Sequence, residues 1–154
     1  MRFLIPFLGK TKESYLDQGI RDYAGRLSRY LPVDIKVLKE PGKHEPDATL
    51  MAREAELLLA QAASASLTVA LDPTGRQHSS EELAVLLTDW ENRGLHTICF
   101  LIGGHLGLEE RVRRQAGQLW SLSRLTFTHE MSRFILLEQL YRACSIKAGH
   151  KYHK

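Results

Sequence analysis

Two spacings of apolar residues divide this chain of 154 residues into short alternating elements. In the first spacing, apolar residues return every three or four positions, which predicts an amphipathic helix with a stripe formed by Leu16, Ile20, Tyr23, Leu27 and Tyr30. A second such helix is predicted from Asp47, its expected N-cap, to about residue 63. Three more helices are predicted. One begins at the capping-box pair Ser79 and Glu82, and one begins at the acidic pair Glu109 and Glu110. The last runs from about His129 to Lys147.

The second spacing is that of strands, in which apolar residues alternate with polar ones or form short continuous runs. Such runs predict strands over residues 3–8, 33–37, 67–71, 97–102 and 122–127. The third of these ends at Asp72-Pro73-Thr74-Gly75, whose composition is typical of a turn. Strands that alternate with helices predict an α/β fold with a parallel sheet flanked by helices. The pattern alone favours an unknotted doubly wound sheet, because knotted chains are rare.

Ligands of parallel sheets bind at the carboxyl ends of the strands. In this chain those ends are expected at Leu71-Asp72, Gly103-Gly104 and Phe127-Thr128. The middle one is a glycine turn, Gly103-Gly104-His105-Leu106-Gly107, where a ligand is able to approach bare backbone. It lacks the Lys-Ser/Thr pair of a phosphate-binding P-loop, so a tight strand-to-helix turn is the competing interpretation.

Composition and charge narrow the functional classes. The length predicts one domain, residues 1–154. A net charge of +3 permits a polyanionic partner without requiring one. The chain has neither an apolar run long enough for a membrane helix nor the pattern of a signal peptide, so we expect a cytoplasmic protein without a membrane partner. Cys99 and Cys144 lie within apolar segments and are expected to be buried, reduced thiols.

Several polar side chains near the C-terminus are candidates for chemistry. His129 and Arg133 share one face of a helix start, which is either an anion seat or a solvated helix end. Glu138 and Arg142 have the spacing of an intrahelical ion pair. No metal site is expected, because the two His residues near the C-terminus have no Cys or carboxylate beside them. The arginines of the first helix, Arg21, Arg26 and Arg29, indicate either a solvated face or contact with a phosphate backbone.

Taken together, these segments resemble the RlmH family of SPOUT-class methyltransferases over essentially the full length of the chain. The resemblance rests on five segments: Thr68–Asp72 with Gly75, Phe100–Gly104, Leu122–Phe127 followed by His129, Arg133 with Glu138–Ala143, and the terminal Tyr152-His153-Lys154. A departure from similar sequences is His105-Leu106, where Pro or Ser followed by an acidic or polar residue is more usual.

The resemblance implies a fold, a cofactor and a substrate. The fold it implies is an α/β domain whose C-terminal part forms a trefoil knot, and the implied cofactor is S-adenosylmethionine. The implied assembly is a homodimer in which each C-terminus reaches toward the partner's cofactor site. The implied substrate is N3 of a pseudouridine in helix 69 of 23S rRNA within the assembled ribosome. The residues that the resemblance assigns to the cofactor are Leu71, Gly103, Leu122, Ser123, Arg124, Leu125, Thr126 and Phe127.

The chemistry of such a reaction asks for a positive or basic group near the target nitrogen, since pseudouridine N3 is a weak nucleophile while it keeps its proton. The available groups are His129, Arg133, Arg142, Tyr152 and His153. The sequence assigns the base to none of them, and positioning without a dedicated base is the alternative. The competing function is a non-catalytic nucleotide- or RNA-binding α/β module, which needs no open cofactor pocket.

Overall fold

A computed structural model describes residues 1–42, 44–150 and 152. Within these ranges the strands are β1 (Arg2–Leu8), β2 (Val33–Leu38), β3 (Leu67–Arg76), β4 (Thr97–Leu101) and β5 (Gln118–Trp120). The helices are α1 (Ser14–Leu27), α2 (Asp47–Ala62), α3 (Ser80–Asn92), α4 (Glu110–Gln115) and α5 (His129–Lys147). The strands form one sheet in the order β2-β1-β4-β3-β5, and every pair is parallel. The predicted parallel sheet flanked by helices is confirmed, and the trefoil knot stays a prediction.

Alternate residues of the strands pack on the two faces of this sheet. Phe3, Ile5 and Phe7 of β1 join a large apolar cluster with side chains of α1, α3 and α5. Leu4 and Leu8 join a smaller cluster on the other face, where α2 and α4 pack. Three helices therefore cover one face of the sheet and two cover the other. This arrangement leaves the ends of the strands open to a ligand. Cys99 and Cys144 are buried free thiols, as predicted, and burial raises the pKa of Cys99 to about 12 and that of Cys144 to about 11.

Three predicted boundaries need correction. The predicted strand over residues 122–127 is wrong, because β5 covers Gln118–Trp120 and the chain then leaves the sheet. Local side-chain bonds take the place of a strand ladder there, with Ser121 Oγ donating to the Ser123 carbonyl and Ser123 Oγ accepting from the Leu125 N–H. Helix α2 has Pro46 at its N-cap position and Asp47 as its first residue, so the helix begins one position earlier than predicted.

The predicted turn after residue 71 lies instead inside a strand. β3 continues to Arg76 with a shift of register between Leu71 and Arg76 along β5. The Asp72 carboxylate accepts hydrogen bonds from the backbone N–H and the hydroxyl of Thr74, so the turn chemistry is present but makes an irregularity in the strand. A Cβ on Gly75 would lie 2.6 Å from the backbone of residues 119 and 120, which explains why the strand carries glycine there.

The start of α5 is clamped to the connection that follows β1. The Arg133 side chain, only 2% exposed, donates to the Leu8 carbonyl at 2.6 Å and to Thr11 Oγ1 at 3.1 Å. Its guanidinium also lies 4.5 Å from the centre of the Phe7 ring. The Glu130 carboxylate in turn accepts hydrogen bonds from the backbone N–H groups of residues 12 and 13 in this connection, with distances of 2.9 and 3.1 Å. Two charged side chains one turn apart thus fix the helix to the end of the central strand.

We expect Arg133→Met to lower the free energy of unfolding by about 2 kcal/mol or more, because it leaves the buried Leu8 carbonyl without its donor and the buried Glu130 carboxylate without a nearby positive charge. Urea unfolding followed by circular dichroism measures this change. Arg21→Met is the matched control, because Arg21 makes an exposed ion pair with Asp17 and its loss should cost less than about 1 kcal/mol. Equal, small losses in both variants would contradict a structural role for Arg133.

Candidate active site

An open cleft of about 660 Å³ lies at the carboxyl ends of β3, β4 and β5. This is the size of a site for one small organic molecule. The expected strand ends Leu71-Asp72, Gly103-Gly104 and Phe127-Thr128 all contribute to its wall. The predicted site residues that line it are Leu71, Gly103, Leu122, Ser123, Leu125, Thr126, Phe127 and His129. The lining residues that were not proposed as site residues include Pro73, Ile102, His105, Leu106, Leu108, Trp120, Ser121 and Ser132.

One wall of the cleft is the glycine turn after β4. Gly107 has a φ of +84°, and its N–H donates to the Gly104 carbonyl at 3.1 Å. A Cβ on Gly103 would lie 2.5 Å from the carbonyl carbon and 2.6 Å from the carbonyl oxygen of Gly107. Glycine is therefore required at position 103 by the closure of the turn itself, before any ligand is considered. The turn presents mainly backbone groups to the cleft.

A carboxylate from α2 supports this wall from behind. Glu54 is 6% exposed, and its carboxylate accepts the backbone N–H of Gly104. Burial raises the pKa of Glu54, while the nearby His105 acts in the opposite direction. A Cβ on Gly104 would lie 2.6 Å from Glu54 Oε1, so this position also accepts only glycine without rearrangement. Sequence reasoning missed Glu54, because a single glutamate on an amphipathic helix carries no signal of its function.

The opposite wall is the segment over residues 121–128, between β5 and α5. Its base is anchored in the core, where Trp120 stacks on Trp90 with ring centres 5.6 Å apart. The Ser121 N–H donates to the Arg76 carbonyl at 2.9 Å, which holds the segment beside the irregular end of β3. Arg124, which was assigned to the cofactor, is exposed and is not among the residues that line the cleft. Leu125 is 73% exposed, so this wall is also an outer surface.

A buried negative charge lies in the wall of the cleft at the end of the regular part of β3. Asp72 is 6% exposed, and its Oδ2 lies 3.4 Å from a guanidinium nitrogen of Arg113. Burial acts to raise the pKa of Asp72, but hydrogen bonds from Thr74 and Arg113 outweigh it, and the pKa is lowered below 3.8. The carboxylate is therefore ionised at neutral pH. Its charge is paired with that of Arg113, and both of its oxygens accept hydrogen bonds, from Thr74 and from Arg113.

His129 is the catalytic candidate that the described structure brings to the cleft. It begins α5, and its imidazole lies 3.9 Å from Glu130 Oε1. Burial lowers the pKa of His129 below its ordinary value of 6.5, and the Arg133 charge acts in the same direction. The carboxylates of Glu130 and Glu40 oppose the shift without reversing it. The imidazole is therefore neutral at neutral pH and able to accept a proton.

The other candidates lie elsewhere. Arg133, clamped to the end of β1, does not line the cleft. Arg142 pairs with Glu138, as the spacing predicted, and its guanidinium lies 4.9 Å from the centre of the Tyr152 ring. His153 lies outside the described residues.

Tyr152 packs on the outer side of α1 and α5 of its own chain. Its hydroxyl lies 2.8 Å from that of Tyr23 and 3.3 Å from Glu138 Oε1. Burial, the hydrogen bond with Tyr23 and the Glu138 carboxylate raise the pKa of Tyr152 well above its ordinary value of 10. The phenol therefore stays protonated and acts as a hydrogen-bond donor. Neither Tyr152 nor Arg142 is among the residues that line the cleft.

The described residues contain neither a candidate metal site nor a candidate membrane helix. Within residues 1–42, 44–150 and 152, no three side chains of the His, Cys, Asp and Glu types come together as metal ligands. In the same part of the chain, no helix combines the length and apolar character needed to cross a membrane.

Comparison with known proteins places this chain in a family. A family model described as "Predicted SPOUT methyltransferase" matches residues 1–153. A relative from Desulfotalea psychrophila named "Ribosomal RNA large subunit methyltransferase H" is 46% identical over 155 residues, covering 100% of both chains. A relative of the same name from Trichlorobacter lovleyi is 42% identical over 156 residues, covering 99% of each.

Solved structures agree at the level of the fold. A probable methylase family protein from Haemophilus influenzae aligns with a TM-score of 0.57 at 12% identity, covering 99% of this chain and 70% of the other. A probable methyltransferase from Bordetella pertussis aligns with a TM-score of 0.57 at 11% identity, covering 93% of this chain and 95% of the other. On the evidence of the full-length family match and these relatives, the chain belongs to the SPOUT methyltransferase family.

Proposed function

We propose that this protein methylates N3 of a pseudouridine in large-subunit ribosomal RNA, with S-adenosylmethionine as the methyl donor. The observation that carries the proposal is the cleft at the ends of β3, β4 and β5, which is lined by seven of the eight residues that the family resemblance assigns to the cofactor. The printed names of the relatives support ribosomal RNA as the substrate. Pseudouridine, its N3 atom and helix 69 come from the RlmH resemblance alone.

The lining of the cleft fits S-adenosylmethionine chemically. Leu71 and the segment over residues 122–127 offer apolar surface for an adenine, and the turn at Gly103 offers backbone groups for its polar atoms. The ionised Asp72 carboxylate brings a negative charge to the wall of the cleft, although Arg113 is paired with it. When bound, S-adenosylmethionine supplies an activated methyl group, so the protein's task is to position the attacking atom in line with it.

The chain's own residues supply the remaining chemistry in two places. The neutral imidazole of His129 stands at the cleft and is able to accept a proton. The Arg142 guanidinium, beside the protonated Tyr152 hydroxyl, would favour a deprotonated base through its charge. Because Arg142 and Tyr152 lie on the outer side of α5, we propose that they act in the cleft of a partner protomer. The proposed assembly is a homodimer of trefoil-knotted chains, in line with the resemblance.

The first test of the function is methyl transfer to RNA. We expect strong incorporation into assembled ribosomes from cells that lack this protein, and weak incorporation into a short hairpin, because a net charge of +3 gives little affinity for naked RNA. Mass spectrometry of digested RNA identifies the modified nucleoside. Cofactor binding without transfer to either substrate would favour the non-catalytic binding module instead.

The second test concerns the glycine turn. We expect Gly103→Ala to lower the affinity for S-adenosylmethionine at least about tenfold, because the added Cβ would meet the Gly107 carbonyl and displace the wall of the cleft. Isothermal titration calorimetry measures the affinity, and circular dichroism checks the fold. Gly25→Ala is the matched control, since a Cβ at that helical position meets nothing within 4 Å. Unchanged affinity in Gly103→Ala would overturn the assignment of this wall.

The third test asks whether Arg142 acts across a dimer. Arg142→Gln and Gly103→Ala each inactivate their own homodimer if both groups are needed. If Arg142 serves the partner's cleft, a mixed dimer keeps one complete site, and random mixing restores about a quarter of the wild-type rate. Methyl transfer is measured after the two variants are unfolded together and refolded. Activity no higher than the sum of the separate variants would show that Arg142 does not act across the dimer.

A further inference from the structure

A group of cations without carboxylate partners lies at the edge of the sheet that holds the cleft. Most arginines on the described surface are paired, for example Arg53 with Glu45, Arg93 with Asp89 and Arg114 with Glu110. Other exposed cations of the described ranges lack such a partner, and they include four at this edge. These four, here called the edge cations, are Lys10, Lys12, Lys39 and Arg124.

The fold brings the edge cations to the mouth of the cleft. Lys10 and Lys12 follow the end of β1, and Lys39 follows the end of β2. In the order β2-β1-β4-β3-β5, β1 is next to β4, whose end bears the glycine turn. Neighbouring strands are about 5 Å apart, so the end of β2 lies roughly 10 Å from that of β4. Arg124 lies in the wall on the opposite side of the cleft, so cations stand on both sides of its mouth.

The backbone that carries these lysines is firmly held. The Lys12 N–H donates to Glu130 at 2.9 Å, and the Gly9 N–H donates to the Leu38 carbonyl at 2.9 Å. Glu130 is itself buried, so its charge is turned inward. Glu40 is half-buried, and its charge acts on His129 and Arg133. Glu13, next to Lys12, is exposed as well, so residues 9–13 and 39–40 carry three lysines against two carboxylates, and positive charge is in excess there.

The other basic surface that the sequence suggested is largely neutralised. Arg21 pairs with Asp17 and Arg26 with Asp22, each at 2.9 Å, one helical turn apart on α1. These pairs leave Arg29 as the cation of the run that has no carboxylate partner within the described residues. A phosphate approaching α1 would have to displace a carboxylate at two of three positions, whereas the edge cations present no such competition.

We propose that the edge cations bind the phosphates of an RNA strand that crosses the mouth of the cleft and so place the target nucleotide over it. This inference rests on the proposed function, in which the substrate is large-subunit RNA. Phosphate contacts of this kind carry no base specificity but fix the register of the strand. Selection of the base would then depend on the residues that line the cleft and on the partner protomer proposed to complete it.

The test compares two triple variants with the same loss of charge. In Lys10→Gln/Lys12→Gln/Lys39→Gln we expect affinity for large ribosomal subunits to fall at least about tenfold. We also expect the slope of log affinity against log salt to decrease by about 2, since each lost phosphate contact removes about 0.7–0.9. Affinity for S-adenosylmethionine should remain within about twofold, because none of the three lysines lines the cleft. Filter binding at several salt concentrations and calorimetry give these values.

The control is Arg21→Gln/Arg26→Gln/Arg29→Gln on α1, which should keep nearly wild-type affinity and salt slope. Equal losses of ribosome affinity in both variants would show that net charge alone is responsible and would overturn the proposal. An unchanged affinity in the lysine variant would overturn it as well. A different result would contradict the proposed function itself, namely that the wild-type protein does not methylate ribosomes. Normal methylation by the wild type together with an unaffected lysine variant would reject the RNA surface alone.

Discussion

The site depends on the reciprocal clamp between the start of α5 and the end of β1. Arg133 and Glu130 are three residues apart on one helical turn, and each satisfies backbone groups of the same connection, the carbonyl of Leu8 and the N–H groups after Thr11. Burying charged groups is costly unless they are hydrogen-bonded, and here Glu130 accepts two backbone N–H groups while Arg133 donates from two of its three guanidinium nitrogens. The clamp fixes where α5 begins, and His129 is the first residue of that helix. The position of His129 in the wall of the cleft therefore depends on the contacts that Glu130 and Arg133 make.

The cleft itself is shaped more by backbone than by side chains. Gly75 lies against the backbone that leads into Trp120, and Gly103 lies against the carbonyl of Gly107. In both places a Cβ would come within about 2.6 Å of backbone atoms that have little freedom to move. Such close approaches bring three strand ends together into one concave surface.

Features that a few neighbouring residues determine were only partly predictable. The capping box of Ser79 and Glu82 stands where the sequence predicts it, because the residue types of both partners announce its two hydrogen bonds. The false strand over residues 122–127 has the apolar pattern of a strand, yet Ser121 and Ser123 bond to nearby backbone and turn the chain into a loop. A pattern of apolar residues does not distinguish side chains that line a cleft from side chains that fill a core.

The candidate site shows the same limit. The strand-end rule and the resemblance predicted most of the cleft, whereas the positions of Arg133 and Arg124 depend on which way a side chain turns from a known backbone. His129 and Arg133 were expected to share a face of α5, but burial separates their roles, since one stands at the cleft and the other is committed to the clamp. Nothing in the sequence indicated a role for Glu54. Its partner is the backbone N–H of Gly104, which is distant in sequence and belongs to a residue without a side chain.

The distribution of charge divides the site into an inner and an outer part. The inner part holds the ionised Asp72, whose charge is paired with that of Arg113. The outer part holds lysines after β1 and β2 that have no carboxylate partner among the described residues. In the proposed complex, an RNA strand would meet these lysines at the mouth of the cleft before it reaches the paired charges inside. A net charge of +3 conceals this division, because most arginines of the described residues are paired with carboxylates. The proposed placement of the RNA then depends on where the few unpaired cations stand, not on how many the chain contains.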